Sequence, residues 1–141
     1  RGTRVERVLT ESGRALEADV VSIGVGVRPE VALAVAAGIE VGESGAVRTD
    51  ERQRTSAPGV YAAGDCCEVL NKVSGRRVWH PLGQPAVRQG WVAGANAAGQ
   101  DSAPGARYAG VVGTNAVKVF GLEVARTGLQ PDPASRLASH R

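Results

Sequence analysis

The first candidate for chemistry is Asp65, which ends the segment SAPGVYAAGD at residues 56–65. We predict that this segment closes in a short buried strand, where Ala62, Ala63 and Gly64 leave open the space that large side chains normally fill. Either another element of the protein or a ligand could occupy that space. A carboxylate at the C-terminal end of the strand could bind the hydroxyl groups of a sugar or polyol, or it could cap the next turn. The local sequence leaves both interpretations open.

A second candidate is the start of a predicted helix, QPAVRQGWVAGANAAG, at residues 84–99. Pro85 in its first turn and Gly99 at its end are typical start and stop signals. Free backbone N–H groups at residues 82–84 would form a site for an anion or for a partly negative ring oxygen. Together with Asp65, these groups suit a large cofactor.

The same helix carries one face that has almost no side-chain volume. Its members recur at helical spacing: Ala86, Gly90, Gly94 and Ala97. We expect this face to pack very close to another part of the protein.

Short strands and turns are predicted to position these candidates. We expect two strands around a turn at 11–13, the first of these strands at 5–9, and then a buried strand at 19–23 and a helix at 29–38. Short strands with an exposed turn at 42–45, a loop at 71–83 and strand-like alternation at 114–129 are expected to follow. Residues 101–105 suggest a polar linker, and the stretch 130–141 suggests a frayed end.

The composition is that of a soluble globular protein, with 43% hydrophobic and 22% charged residues. No apolar run approaches the ~18 residues that a membrane helix requires, and no secretion signal is recognisable. The 17 Lys and Arg residues are scattered among 14 acidic ones without forming a basic stripe. We therefore expect binding neither to membranes nor to nucleic acid.

The cysteines of the chain, Cys66 and Cys67, are adjacent. This arrangement fits neither a disulfide framework nor the spaced pairs of a zinc site. We expect two small buried residues, no metal site and a location in the reducing cytoplasm.

Four segments resemble parts of the pyridine nucleotide-disulfide oxidoreductase family, in the family's order. TSAPGVYAAGDCCEV, followed by WHPLGQPAVRQGWVAGANAAG, resembles the second flavin-binding segment, and the branch of coenzyme A-disulfide reductases, NADH oxidases and NADH peroxidases is the most similar. DVVSIGVGVRPE is similar to the strand and glycine turn by which the family's chain leaves the NAD(P)H domain and re-enters the FAD domain. GTNAVKVFGLEVARTGL resembles the opening of the dimerisation domain.

The resemblance implies a set of cofactor-binding residues. Asp65 would bind the ribityl chain of FAD, and Ala63 and Gly64 would allow close approach of the backbone. Leu82 and Gly83 would aim the helix N-terminus at the pyrimidine edge of the flavin, where the helix dipole stabilises the negative charge that grows on reduction.

Further roles follow from the same resemblance. Gly26 would lie beside the nicotinamide nucleotide, with Pro81 nearby, and the small residues Gly90 and Gly94 would let the helix lie tightly on the flavin-domain sheet. No catalytic residue is implied, because the sequence has no counterpart of the family's redox-active cysteine or of its Gly-rich dinucleotide fingerprints.

The expected fold class is α/β: a partial FAD/NAD(P)-binding domain of the Rossmann-like, three-layer type, with the start of an α+β dimerisation domain. Residues 1–27 would end the NAD(P)H-binding domain, 28–102 would form the C-terminal half of the FAD-binding domain, and 103–141 would hold a linker and the truncated start of the dimerisation domain.

The resemblance implies part of an FAD-dependent enzyme, a homodimer when complete. It would pass electrons from NAD(P)H through FAD to a disulfide, a peroxide or dioxygen, and this chain alone would be inactive. The alternative is a non-catalytic nucleotide-binding or interaction module that uses the same sheet.

Overall fold

The computed structural model describes residues 4–100 and 105–129 of the chain. In chain order, its elements are β1 Arg7–Leu9, β2 Ala15–Glu17, α1 Ala32–Ala36, β3 Glu68–Leu70, β4 Arg77–Trp79, α2 Gly83–Ala95, a π-helical segment Asn96–Gln100, β5 Asn115–Val119 and β6 Leu122–Arg126. Within the described residues, the strands form antiparallel pairs, β1 with β2, β3 with β4 and β5 with β6. The predicted frayed end and most of the predicted linker lie outside the described residues.

The core lies where three distant segments meet. Val47 pairs in parallel with Cys67, and Asn71 pairs in parallel with Val111. The Glu68 N–H donates to the Val47 carbonyl oxygen at 2.9 Å, which links the first two segments. The buried apolar side chains are Ala46, Val47, Cys67, Val69 and Val111. Parallel pairing between segments far apart in sequence is typical of the α/β class.

A buried amide fixes the C-terminal end of α2. The Asn96 side chain is 1% exposed. Its Nδ2 donates to the carbonyl oxygens of Arg52 and Ala106, both at 2.9 Å, and its Oδ1 accepts the Ala106 N–H at 3.0 Å. The helix therefore has a fixed position relative to two other segments, and its N-terminal end is positioned with it.

A buried carboxylate holds the predicted turn at 42–45. Glu68 is 3% exposed, and its Oε1 accepts the Ser44 hydroxyl at 2.7 Å. A Cβ at Gly42 would overlap with the Glu68 carboxylate, so a larger residue there would displace the Glu68 side chain from its present position. Glu43 and Gly45 at the tip of the turn are exposed as expected, whereas Ser44 is half-buried because its hydroxyl binds Glu68 of β3.

The buried strand predicted at 19–23 is wrong for the described chain. These residues form no strand, and Val20 and Ile23 are 82% and 79% exposed. A buried strand requires neighbours on both sides, and no described segment pairs with this one. The apolar pattern indicated a tendency to form a strand, but a strand also needs a neighbouring strand to pair with, and the pattern carries no information about that neighbour.

Two further expectations need correction. The strand predicted to end at Asp65 is reduced to one antiparallel bridge between Arg54 and Tyr61, and the chain then turns. The predicted loop at 71–83 contains β4, whose Trp79 pairs with Glu68 of β3. Glycine and basic residues in that stretch suggested a loop, whereas Gly75 in fact lies in the tight turn of a hairpin.

Other elements are confirmed. The first hairpin turns at the expected residues 11–13, and β5 and β6 account for the alternation at 114–129. The helix predicted at 29–38 is shorter, since α1 spans Ala32–Ala36, but the chain does leave it at Gly38 with a φ of 72°.

The small-residue face of α2 is packed only at its beginning. Ala86 is half-buried, whereas Gly90 and Gly94 are exposed, and no described atom lies within 4 Å of a Cβ placed on either glycine. The expected tight packing of these two glycines is therefore not formed by the described residues. None of the helices in the described part of the chain is long and apolar enough to cross a membrane.

We predict that Gly110→Ala destabilises the protein far more than Gly13→Ala. Both glycines have a positive φ, 101° and 79°, which costs a side chain about 1–2 kcal/mol. A Cβ at Gly110 also collides with the Leu70 carbonyl oxygen, whereas a Cβ at Gly13 meets nothing. We expect a further loss of about 1–3 kcal/mol at Gly110, measured by thermal unfolding. Equal losses would contradict the close approach of these segments.

Candidate functional site

The turn before Asp65 lies against α2. The Gly64 N–H donates to Gln89 Oε1 at 3.0 Å, and the Gln89 side chain is only 3% exposed. A Cβ placed on Gly64 would lie 3.7 Å from the Ala86 Cβ, an ordinary contact. Glycine is favoured at this position by its φ of 87° rather than by lack of space. The start of the helix thus occupies part of the space that the small residues leave open.

Asp65 is held by its backbone and leaves its carboxylate exposed. Its carbonyl oxygen accepts the Trp79 Nε1–H at 2.7 Å. Among the described residues, the carboxylate has no hydrogen bond or ion pair, so it does not cap the following turn. The binding of a ligand by the Asp65 carboxylate stays a prediction.

The N-terminus of α2 is open, with one correction to the sequence-based prediction. Leu82 is the N-cap residue, and no side chain caps the helix. The Leu82 N–H donates to the His80 carbonyl oxygen at 2.9 Å and is therefore not free. The N–H groups of Gly83 and Gln84 remain available, as expected in the first turn of a helix.

A cleft of about 690 Å³ opens at this helix end. Its lining includes Leu82, Gly83 and Gln84 together with Lys72 and Arg88, and no carboxylate of residues 4–100 or 105–129 lines it. These cations add to the positive end of the helix dipole, so the cleft favours a negatively charged group.

Tyr108 lines the same cleft. Burial raises the pKa of its hydroxyl, and the positive charge of Arg88 opposes that shift. The phenol is therefore a neutral hydrogen-bonding group at physiological pH.

The remaining sequence-predicted residues fall into two groups. Ala63 and Pro81 are half-buried and directly precede the turn and the helix N-cap, respectively. Gly26 is exposed with a φ of 89°, and no described atom lies within 4 Å of a Cβ placed there. The structure thus groups Ala63, Gly64 and Asp65 with the start of α2, and it shows no contact between Gly26 and this group.

The adjacent cysteines lie directly behind Asp65. Their sulfur atoms are 3.5 Å apart; Cys67 is buried as expected, whereas Cys66 is only half-buried. A hydrogen bond from the Cys67 thiol lowers the pKa of Cys66 to about 6, although burial opposes this shift. The same hydrogen bond and burial raise the pKa of Cys67. No cluster of three or more metal-ligating side chains occurs within residues 4–99 and 105–129.

Two residues that hold the site were missed in the sequence. Gln89 lies three positions after Ala86, on the side of α2 that meets the turn, and a polar residue beside a small-residue face was the available signal. No pattern in the sequence indicated the role of Trp79, because that role depends on the pairing of β3 with β4, which was not predicted.

Comparisons with known proteins identify the family of the chain. The family model described as "Pyridine nucleotide-disulphide oxidoreductase" matches residues 1–118. The NAD(P)H sulfur oxidoreductase (CoA-dependent) of Pyrococcus furiosus is 42% identical over 131 residues, which are 93% of this chain and 28% of that protein. The NADH oxidase of Streptococcus pneumoniae is 37% identical and is matched over 93% of this chain and 27% of its own length.

A solved structure shows the same fold. The FAD-dependent pyridine nucleotide-disulphide oxidoreductase from Desulfovibrio vulgaris superimposes with a TM-score of 0.80 and 41% identity, over 95% of this chain and 32% of that one. The chain belongs to the pyridine nucleotide-disulfide oxidoreductase family. It spans about a quarter of the length of the curated relatives that it matches. The family resemblance and the α/β fold class predicted from the sequence are confirmed.

We predict that Gln89→Ala destabilises the protein by about 1–3 kcal/mol, because it leaves the Gly64 N–H without its partner. The matched control is Gln84→Ala in the same helix, where the side chain is exposed and no loss above about 0.5 kcal/mol is expected. Thermal unfolding of both variants measures the difference. Similar melting temperatures for the two would contradict the role of Gln89 in holding the turn.

Proposed function

We propose that this chain supplies the ribityl and pyrimidine side of the flavin site in an FAD-dependent NAD(P)H oxidoreductase. The observation that carries the proposal is the juxtaposition made by the hydrogen bond from Gly64 to Gln89. It places the turn with the unpartnered Asp65 carboxylate against α2, whose N-terminus has no side-chain cap. Membership of the family supports the choice of cofactor.

The residues present fit such a cofactor. The Asp65 carboxylate is exposed, and it can accept charge-assisted hydrogen bonds from the hydroxyl groups of a ribityl chain. Gly64 has no side chain, and Ala63 has a short one, so both permit close approach of a ligand to the backbone. These residues would position the sugar-like chain of the cofactor.

The open end of α2 fits the other part of the cofactor. Bound FAD supplies the redox chemistry, since it takes up a hydride from a reduced nicotinamide nucleotide and passes the electrons on. The free N–H groups of Gly83 and Gln84 can donate hydrogen bonds to a ring oxygen. With Lys72 and Arg88 in the adjoining cleft, they create a positive potential that stabilises negative charge on the ring.

The residues near the nicotinamide nucleotide are proposed from the family resemblance. Gly26, with its positive φ, would accept close approach of the nicotinamide nucleotide, and Pro81 would lie nearby. We place residues 1–27 at the end of the NAD(P)H-binding domain, 28–102 in the FAD-binding domain, and 103–141 at the start of the dimerisation domain.

The sequence analysis left a disulfide, a peroxide or dioxygen open as the electron acceptor, and the names of the relatives support two classes of acceptor. One is named a CoA-dependent sulfur oxidoreductase, and another is named an NADH oxidase. We propose a sulfur compound or dioxygen as the acceptor for the protein that contains this chain.

The proposed assembly is a homodimer in the cytoplasm that does not bind nucleic acid. The β5–β6 hairpin supports the dimer, because it exposes apolar side chains such as Phe120, Leu122 and Val119. A protein surface of this kind is commonly covered by another protein surface.

We predict that Asp65→Ala lowers FAD affinity roughly tenfold to several-hundredfold in the protein that carries this chain. The variant loses one or two charge-assisted hydrogen bonds, each of about 1.5–3 kcal/mol. The matched control is Glu43→Ala, which removes another exposed carboxylate without a described partner and should leave FAD affinity unchanged. Flavin occupancy on dilution and the melting temperature are measured on the same preparations.

The two measurements separate the possible roles of Asp65. Loss of flavin with little change in the melting temperature of the flavin-free protein supports the proposal. A variant that keeps its flavin on dilution but melts earlier would show that Asp65 only stabilises the fold.

We also predict that replacing Cys66 and Cys67 together by Ala leaves most turnover intact. They follow Asp65 directly in the chain and lack the spacing between a redox-active cysteine and its resolving cysteine. Neither thiol takes part in the hydrogen bond between Gly64 and Gln89. Steady-state oxidation of NAD(P)H by the double variant measures this. Loss of the catalytic thiol signal in that variant would contradict the prediction.

A further inference from the structure

Cys66 and Cys67 are adjacent cysteines that differ in burial. Their sulfur atoms lie 3.5 Å apart; Cys66 is half-buried, and Cys67 is 3% exposed. Cys66 is therefore the more accessible residue of the two, and its thiol also donates a hydrogen bond to the Ala63 carbonyl oxygen at 3.4 Å, while Cys67 is enclosed. A nucleophilic thiol that can be reached, with a second thiol within contact distance, is the arrangement that thiol–disulfide exchange requires.

We propose that Cys66 and Cys67 are a redox-sensitive dithiol that small-molecule disulfides convert into a disulfide between the two residues. This role is separate from the proposed oxidoreductase reaction. It does not depend on which cofactor the protein binds.

The reaction proceeds in two exchange steps. The Cys66 thiolate attacks one sulfur of the external disulfide, breaks its S–S bond and releases one thiolate. The released thiolate takes the proton of Cys67, and the Cys67 sulfur then attacks the Cys66 sulfur and releases the second thiolate, which is protonated by solvent. The two protein thiols are oxidised, and the external disulfide is reduced to two thiols.

Adjacency makes this disulfide labile. Neighbouring Cα atoms are about 3.8 Å apart across a trans peptide, which is less than the ~4.4–6.8 Å of ordinary disulfides. The closed ring is therefore strained and is readily opened by thiols, a property associated with regulatory rather than structural disulfides.

Ring closure would act on the neighbouring turn. The Cys67 N–H donates to the Gly64 carbonyl oxygen at 3.0 Å, and the Cys66 carbonyl oxygen accepts the Val47 N–H at 2.7 Å. The backbone that must distort to form the disulfide is thus the backbone that follows Asp65 and joins it to the core.

The chain offers a direct assay by peptide mapping. Trypsin cleaves after Arg54 and Lys72, and the peptide at 55–72 contains both cysteines and no internal cleavage site. The folded protein is treated with oxidised glutathione at neutral pH, quenched with acid, blocked with N-ethylmaleimide and digested. We expect this peptide to lose two hydrogen atoms, to carry no maleimide, and to recover both thiols after treatment with dithiothreitol.

Single variants identify the role of each thiol. Cys67→Ser should stop at a mixed disulfide with glutathione on Cys66, and Cys66→Ser should react at least about tenfold more slowly, since an ordinary thiol is only a few per cent ionised at neutral pH. A wild-type peptide that stops at the mixed disulfide, or a Cys66→Ser variant that reacts as fast as wild type, would overturn the proposal.

A second measurement needs no variant. The rate of alkylation of Cys66 by iodoacetamide in the folded protein should reach half its maximum near pH 6, because the hydrogen bond from Cys67 holds the pKa of Cys66 at about 6. In urea, the midpoint should return to about 8.5, the usual value for a free cysteine. The same midpoint in the folded and unfolded protein would overturn the proposal.

Discussion

The hydrogen bond from the Gly64 N–H to Gln89 Oε1 is the interaction on which the site depends. It connects a turn that has no regular strand to support it with the buried side of a long helix. Together with the hydrogen bond from Trp79 Nε1–H to the Asp65 carbonyl oxygen, this bond holds Asp65 close to the open end of α2. Because Gln89 is almost fully buried, solvent cannot replace the lost partner cheaply. A polar side chain thus contributes what apolar packing contributes in most cores.

The interior of the described chain relies on such polar links to an unusual extent. Glu68 holds the turn at 42–45, and Asn96 holds the end of α2, whereas few apolar side chains are buried. Many large apolar side chains are exposed instead, Phe120 and Val25 among them. Exposed apolar side chains of this kind are commonly covered by another protein surface.

The charges around the site are arranged by sign. The Asp65 carboxylate lies on the turn, while Lys72, Arg88 and the helix dipole make the adjoining cleft positive. A ligand that has hydroxyl groups on one part and developing negative charge on another would meet a suitable partner at each. The two thiols that follow Asp65 in the chain are also affected by a close neighbour. The hydrogen bond from Cys67 stabilises the thiolate form of Cys66.

Local sequence determined the features that depend on neighbouring residues. Pro85 marked the first turn of α2, because proline fixes φ, and alternation marked the β5–β6 hairpin. Gly99, the expected end of the helix, lies with a φ of 87° in the π-helical segment that follows α2. SAPGVYAAGD together with the helix start identified the family. Tertiary structure decided the features that require a partner distant in sequence. Residues 19–23 have a strand-like pattern but no described neighbour, and Gln89 binds Gly64 only because the chain folds back across 25 positions. A sequence pattern specifies what a segment can form, but the hydrogen-bond partner that stabilises it must come from another part of the fold.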